Sequence, residues 1–141
     1  MRVAEILNGK GDLVYQISPN ATLTEVVDEL VNRNCGSLVV REGESVVGII
    51  TERDILRSIA SHKRPLSELF VRDFMTKDFV AGHPSDDISS VMGLMTSRHI
   101  RHLPIMDDYR LVGLISIGDI VKAQHAILVQ ENHYMKVYIQ S

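Results

Sequence analysis

Cysteine is almost missing from this sequence: Cys35 is the single one in 141 residues. One thiol excludes an intramolecular disulfide and fits a reducing compartment. Basic charge is not in excess either. Fifteen Lys and Arg stand against 18 Asp and Glu, for a net charge of −3 with His neutral. A polyanion binder would show the opposite balance, so no nucleic acid partner is expected. No apolar run reaches the roughly 18 residues of a membrane span, so no membrane partner is expected. The first residues, "MRVAEILNGKGD", contain no long apolar core and do not read as a secretory signal. A cytoplasmic location follows as an expectation. The rest of the composition is ordinary, 45% hydrophobic and 23% charged, and the length suits one compact domain or two small ones sharing a core.

The chain repeats itself. At the constant offset that lays Pro19 on Pro84, the halves match without a gap from Ser18 to Leu56. Val26 falls on Val91, Arg33 on Arg98, Leu38 on Leu103, Gly48 on Gly113, Ile50 on Ile115 and Asp54 on Asp119. Thr51 falls on Ser116, which keeps the hydroxyl. "SHKRPLSELF" (Ser61–Phe70) lies outside the match; its charges and proline read as a surface linker.

Each half has one layout. A short helical start, "VAEIL" or "VRDFM", precedes a short strand, Val14–Ile17 or Phe79–Ala81, and a proline turn. A helix follows, with Thr22 and Asp86 as expected N-caps. Leu23, Val26, Val27 and Leu30 keep helical spacing, as do Ile88, Val91, Met92 and Met95. Two strands come next, around Glu42-Gly43-Glu44 in the first half and Asp107-Asp108-Tyr109 in the second. A closing helix begins at Thr51 or Ser116. The expected fold is α+β, two β-α-β-β-α units that pack sheet to sheet with pseudo-two-fold symmetry, because neither can cover its own sheet. The expected boundaries are 1–60 and 71–126 for the repeats, 61–70 for the linker and 127–141 for a helical extension.

The motif common to both halves is a hydroxyl residue followed by x-x-Asp: Thr51 to Asp54 and Ser116 to Asp119. This spacing caps a helix, since the hydroxyl accepts from an N–H three residues on and the carboxylate meets the positive end of the helix dipole. Capping accounts for the spacing without a ligand. A carboxylate at a strand-to-helix turn also suits a vicinal diol, which presents two hydroxyl donors to it, as ribose does in dinucleotide folds. The two roles are compatible.

"RHLPIMDDYRLVGLISIGDIV", with its weaker copy in the first half, resembles the cystathionine-β-synthase (CBS) domain, and the resemblance to a tandem CBS pair runs from about Val3 to Ala126. With no catalytic domain attached, the chain is similar to the stand-alone bacterial CBS-pair proteins. The resemblance implies a non-catalytic regulatory module whose cleft takes adenine nucleotides such as AMP, ADP, ATP or NAD, and in some members S-adenosylmethionine. It implies that Asp54 and Asp119 hold the ribose diol beside Thr51 and Ser116. It implies that backbone at Val14, Tyr15, Gln16, Phe79, Val80 and Ala81 lines the adenine, with Ile50, Ile115 and Ile117 sandwiching the base. Arg53, Arg101 and the neighbouring His102 stand where some members bind phosphate. The copies are unequal: Gly118 replaces Arg53, Gly36 replaces Arg101 and Ser37 replaces His102, so two equivalent sites are not implied. The competing functions are an interaction module with no physiological nucleotide and a small nucleotide-dependent enzyme.

Other residues read more simply. His99-x-x-His102 is the tightest histidine pair, but a strand begins between them and no further ligand is near, so no metal site is expected. Cys35 aligns with the apolar Ile100 and reads as a buried, inert thiol. Met92, Met95 and Met106 fall on core positions. No Ser-His-Asp or Cys-His arrangement is visible in the sequence. Past Ala126 the apolar positions Ile127, Leu128, Tyr134, Met135 and Tyr138 continue the helical spacing of Ile117, Ile120 and Val121 without a glycine or proline. A helix of this length has to bury its stripe, and a homodimer is the expected means, with folding back over its own module as the alternative. An effector protein to read the ligand state is also implied and not identified.

Overall fold

The computed structural model describes residues 1–11 and 14–140, the side chain of Gln140 excepted. In chain order the elements are α1 (Val3–Lys10), β1 (Gln16–Ile17), α2 (Leu23–Arg33), β2 (Ser37–Glu42), β3 (Ser45–Thr51), α3 (Glu52–Ser61), α4 (Val71–Phe74), α5 (Ile88–Arg98), β4 (His102–Asp107), β5 (Arg110–Ser116) and α6 (Ile117–Gln140). The architecture is α+β, with a three-stranded sheet in the order β1-β2-β3 and a two-stranded sheet of β4 and β5. Two compact units form. One is Leu13–Val80; the other joins Met1–Asp12 to Ala81–Ser141.

In the first of these units β1 runs parallel to β2 and β2 antiparallel to β3, with Leu38 opposite Ile50 and Ser37 opposite Thr51. The turn between β2 and β3 needs a left-handed residue and has Gly43, at φ 62°. The amphipathic face of α2 places Leu23, Val26 and Leu30 against Leu38, Val40, Ile50 and Ile55. Thr22 caps α2 by accepting from Glu25 N–H, while Glu25 accepts from Thr22 N–H. The segment that reads as a surface linker is only partly one. Its charged start is exposed, but Leu66–Glu68 forms a 3-10 turn and Leu69 is buried in the core. The Leu69 carbonyl accepts from Leu23 N–H, Val71 N–H donates to Ala21 and Arg72 N–H to Pro19, so this segment satisfies the free start of α2.

The other unit repeats that stitching with α1. Ile88 N–H donates to Met1, Val3 N–H to Asp86 and Ala4 N–H to Pro84. The short helix that precedes each repeat in sequence therefore packs with the other repeat. This explains the repeated glycine of "VGII" and "VGLI". A Cβ on Gly48 would lie 2.9 Å from the Thr76 carbonyl oxygen, and one on Gly113 would lie 2.5 Å from a Leu7 methyl. Both helices α2 and α5 end on a left-handed residue, Asn34 and His99.

Three local expectations are corrected. The Val14–Ile17 strand is confined to Gln16–Ile17. Phe79–Ala81 forms no strand; only Gly82 bridges to Ile105. The reason lies in β4: Pro104 occupies the place of Val39, whose N–H donates to Tyr15, and proline has no N–H to give. Lastly, Asp87 rather than Asp86 caps α5, accepting from Ser89 N–H, while Asp86 accepts from His83 N–H in the preceding turn.

Candidate functional site

At the end of β3 the chain leaves the sheet through Thr51 into α3. Thr51 N–H donates to Asp54 Oδ2 at 2.9 Å, and Asp54 N–H donates to Thr51 Oγ1 at 3.3 Å. At the end of β5 the same box closes between Ser116 N–H and Asp119 Oδ2 at 2.9 Å, and between Asp119 N–H and Ser116 Oγ at 3.1 Å. The capping role is thus realised twice.

Beyond the box the two carboxylates differ. Asp54 is 6% exposed, and its other neighbours are hydroxyls. Thr51 Oγ1 lies 3.2 Å from Oδ2, and Thr76 Oγ1 lies 3.3 Å from Oδ1 and 3.5 Å from Oδ2. Thr76 is held there by a two-bond bridge to Ile49. Asp119 keeps 24% of its side chain exposed and accepts from Lys10 Nζ at 2.7 Å. The same ammonium donates to the Leu114 carbonyl at 2.8 Å. Burial works to raise the Asp119 pKa, but the Lys10 ammonium and the Ser116 N–H outweigh it and hold the carboxyl below the ordinary aspartate value.

Thr51 and Asp54 are brought together, as are Ser116 and Asp119. Ile50 and Ile115 are fully buried, and Ile117 is half-buried at the start of α6. Val14, Tyr15, Phe79 and Val80 are half-buried, while Gln16 and Ala81 are exposed. The Tyr15 ring lies under the Arg33 guanidinium at 4.9 Å from its centroid. Arg53 and Arg101 are exposed, and His102 is half-buried in register with Ser116.

Sequence reasoning missed three residues here. Thr76 and Lys10 reach the carboxylates from segments distant in sequence, and no local pattern marks them. Ser37 could have been found: it is the repeat counterpart of His102 and stands opposite Thr51. It is 3% exposed and its Oγ has no hydrogen-bond partner, a state that asks for a ligand or water.

One further expectation needs correction. Cys35 is half-buried, not buried, although burial still raises its pKa and keeps the thiol protonated. A Ser-His-Asp cluster, which the sequence left open, does form. His83 Nδ1 meets Ser85 Oγ at 2.7 Å, and His83 Nε2 meets Asp107 Oδ1 at 3.3 Å. Its geometry is that of a solvated turn. Ser85 N–H already donates to the same Nδ1 at 3.1 Å, and about half of each of the His83 and Asp107 side chains is exposed, so the histidine lone pair is shared and the serine is not activated.

The pattern of the CBS domain matches this chain twice, at residues 12–61 and 71–126. The chain belongs to the CBS domain family. CBS pairs are regulatory modules, and the two matches here make one such pair. Among relatives, the mitochondrial CBS domain-containing protein CBSX3 of Arabidopsis thaliana is 36% identical over 84% of this chain. The matched region spans 60% of that relative's own length. A CBS-domain protein from Agrobacterium tumefaciens has the same fold at a TM-score of 0.85, with 33% identity over 88% of this chain and 99% of its own. The CBS domain pair of protein MJ0100, solved in complex with methylthioadenosine and S-adenosyl-L-methionine, superposes at a TM-score of 0.79. It is 25% identical and covers 89% of this chain and 97% of its own. Among the described residues no helix is long and apolar enough to cross a membrane.

Proposed function

We propose that this CBS pair is a non-catalytic sensor that binds an adenine nucleotide (AMP, ADP, ATP or NAD) through its ribose. The observation that carries the reading is the matched pair of carboxylates, Asp54 and Asp119, each fixed by a capping box at the same strand-to-helix junction of its repeat. A cis diol offers two donors to such an anion, and charge-assisted bonds of this kind are the stronger ones. Ser37 supports a ligand in the first repeat, because its buried hydroxyl has no partner and stands opposite Thr51. The adenosine compounds bound by MJ0100 support adenosine as the common part of the ligand. Arg53 and Arg101, exposed and without ion-pair partners among the described residues, are the cations for its phosphates.

Ligand binding would favour one arrangement of the chain over another, and a partner protein would read the difference. The chain would act as a homodimer through the C-terminal half of α6. From Leu128 to Ile139 that helix is exposed in the single chain. Leu128, Tyr134, Met135, Tyr138 and Ile139 fall along one side of it. A helix so exposed does not hold on propensity alone.

The test is calorimetric titration of AMP, ATP and NAD into the wild type, Asp54→Ala and Asp119→Ala, with native mass spectrometry of ligand that co-purifies. The expected result is adenine-nucleotide binding weakened by about 1.5–3 kcal/mol in at least one variant. Unchanged affinity in both would leave the aspartates as helix caps and nothing more.

A further inference from the structure

We propose that Lys10 is a built-in competitor of the ribose diol at Asp119, so that the two repeats bind nucleosides unequally and occupancy of the second repeat releases the end of α1. The inference rests on the diol reading above. A carboxylate oxygen has two lone pairs. On Asp119 Oδ2 both are engaged, one by Ser116 N–H at 2.9 Å and one by Lys10 Nζ at 2.7 Å. A diol that grips both carboxylate oxygens has to displace one of these donors. Losing Ser116 N–H would break one of the two bonds of the capping box that starts α6, so the ammonium is the donor that yields. At Asp54, Oδ2 likewise has two donors, Thr51 N–H and Thr51 Oγ1, and Oδ1 has the Thr76 hydroxyl; the donors outside the backbone are neutral hydroxyls, which ribose hydroxyls replace like for like.

The latch is attached to a specific element. Lys10 is the last residue of α1, and its second bond, to the Leu114 carbonyl at 2.8 Å, ties it to β5. Three residues earlier Leu7 covers Gly113. The beginning of α1 is fastened separately, through Val3 and Ala4 to Asp86 and Pro84. Freeing Lys10 therefore loosens the last turn of α1 and leaves its first turn in place. The asymmetry is written in the repeat, which lays Met75 on Lys10 and Thr76 on Gly11. Neither can offer an ammonium to Asp54.

The probe is adenosine, which carries the diol and no phosphate, titrated into the wild type, Lys10→Met, Lys10→Arg, Asp54→Asn and Asp119→Asn. Hydrogen exchange of the α1 amides is followed in parallel. Lys10→Met should tighten the Asp119-dependent binding component about fivefold, ~1 kcal/mol, the upper end for a partly exposed ion pair. Lys10→Arg, which keeps the cation, should stay near wild type. Adenosine should speed exchange in the last turn of α1 in the wild type. Unchanged or weaker binding in Lys10→Met overturns the latch, weaker binding marking Lys10 as a ligand contact instead. Exchange that adenosine leaves unaltered also overturns it. Binding lost only in Asp54→Asn overturns the latch and keeps the diol reading for the first repeat. Binding indifferent to both aspartates, or none at all, removes the diol reading and the latch with it.

Discussion

Removing the Asp54 carboxylate should cost this protein more than removing that of Asp119, although the two residues are repeat counterparts. In Asp54→Ala three donors lose their acceptor: Thr51 N–H, Thr51 Oγ1 and Thr76 Oγ1. Loss of the carboxylate at the start of α3 breaks half of its capping box and removes a favourable helix-start charge, about 0.3–1 kcal/mol, and a buried donor left unpaired costs about 1–3 kcal/mol. Thr76 is exposed and Thr51 half-buried, so water recovers part of the second figure, and about 2–3 kcal/mol results. In Asp119→Ala half of the capping box of α6 is lost at the same cost of about 0.3–1 kcal/mol, since the backbone N–H at 119 still reaches Ser116 Oγ. The ion pair with Lys10 is partly exposed, with side chains 37% and 24% accessible, and adds only about 0.2–1 kcal/mol. Asp54→Ala should therefore be the less stable by about 1 kcal/mol in equilibrium urea unfolding without ligand. Asp54→Asn is the control. Its amide oxygen still accepts from Thr51 N–H, so it should recover a large part of the loss. If Asp119→Ala destabilises as much as Asp54→Ala or more, the energetic distinction drawn from burial and donor chemistry is refuted.

The remaining predictions concern packing, pH, phosphate and assembly. Gly48→Ala should destabilise by about 1–3 kcal/mol and weaken ligand binding at Asp54, because its Cβ would press on the Thr76 carbonyl; Gly9→Ala, with open space around it, is the matched control and should be neutral or slightly stabilising. The Asp119 pKa is lowered on folding, so the stability from this group is present above the ordinary aspartate value and is lost as pH falls through the folded pKa. Thermal midpoints taken from about pH 5 to about pH 2 should fall less steeply in Lys10→Met than in the wild type. Arg101→Ala should weaken AMP more than adenosine in calorimetry, since a guanidinium fork matches phosphate oxygens and not the base; equal losses would give Arg101 a structural role. Truncation after Ala126 should keep a cooperative thermal unfolding transition and weaken self-association in sedimentation equilibrium, whereas a truncated chain that associates as well as the full one would remove α6 from the interface.

The sequence alone determined the repeat, the α+β layout and the two hydroxyl-to-aspartate boxes. All three are written in short-range pattern: apolar runs on either side of a turn in β2 and β3, helical spacing in α2 and α5, and capping contacts three residues apart. It could also show that Arg53, Arg101 and His102 have no counterpart in the other half. What it could not show depends on segments that meet across long stretches of chain. Lys10 and Asp119 are 109 residues apart, and nothing in "LNGKGD" marks its lysine as the partner of an aspartate in α6. The exchange of α1 and α4 between the repeats followed the same logic. Each start of α2 and α5 needed acceptors for its N–H groups and a cover over Gly48 or Gly113, and the segment that supplied them lies outside the repeat it serves. Pro104 shortened the second sheet by withholding one N–H that only the folded register calls for. Local physics specified the two halves; tertiary contact decided that their aspartates, one among hydroxyls and one under an ammonium, are not the same site.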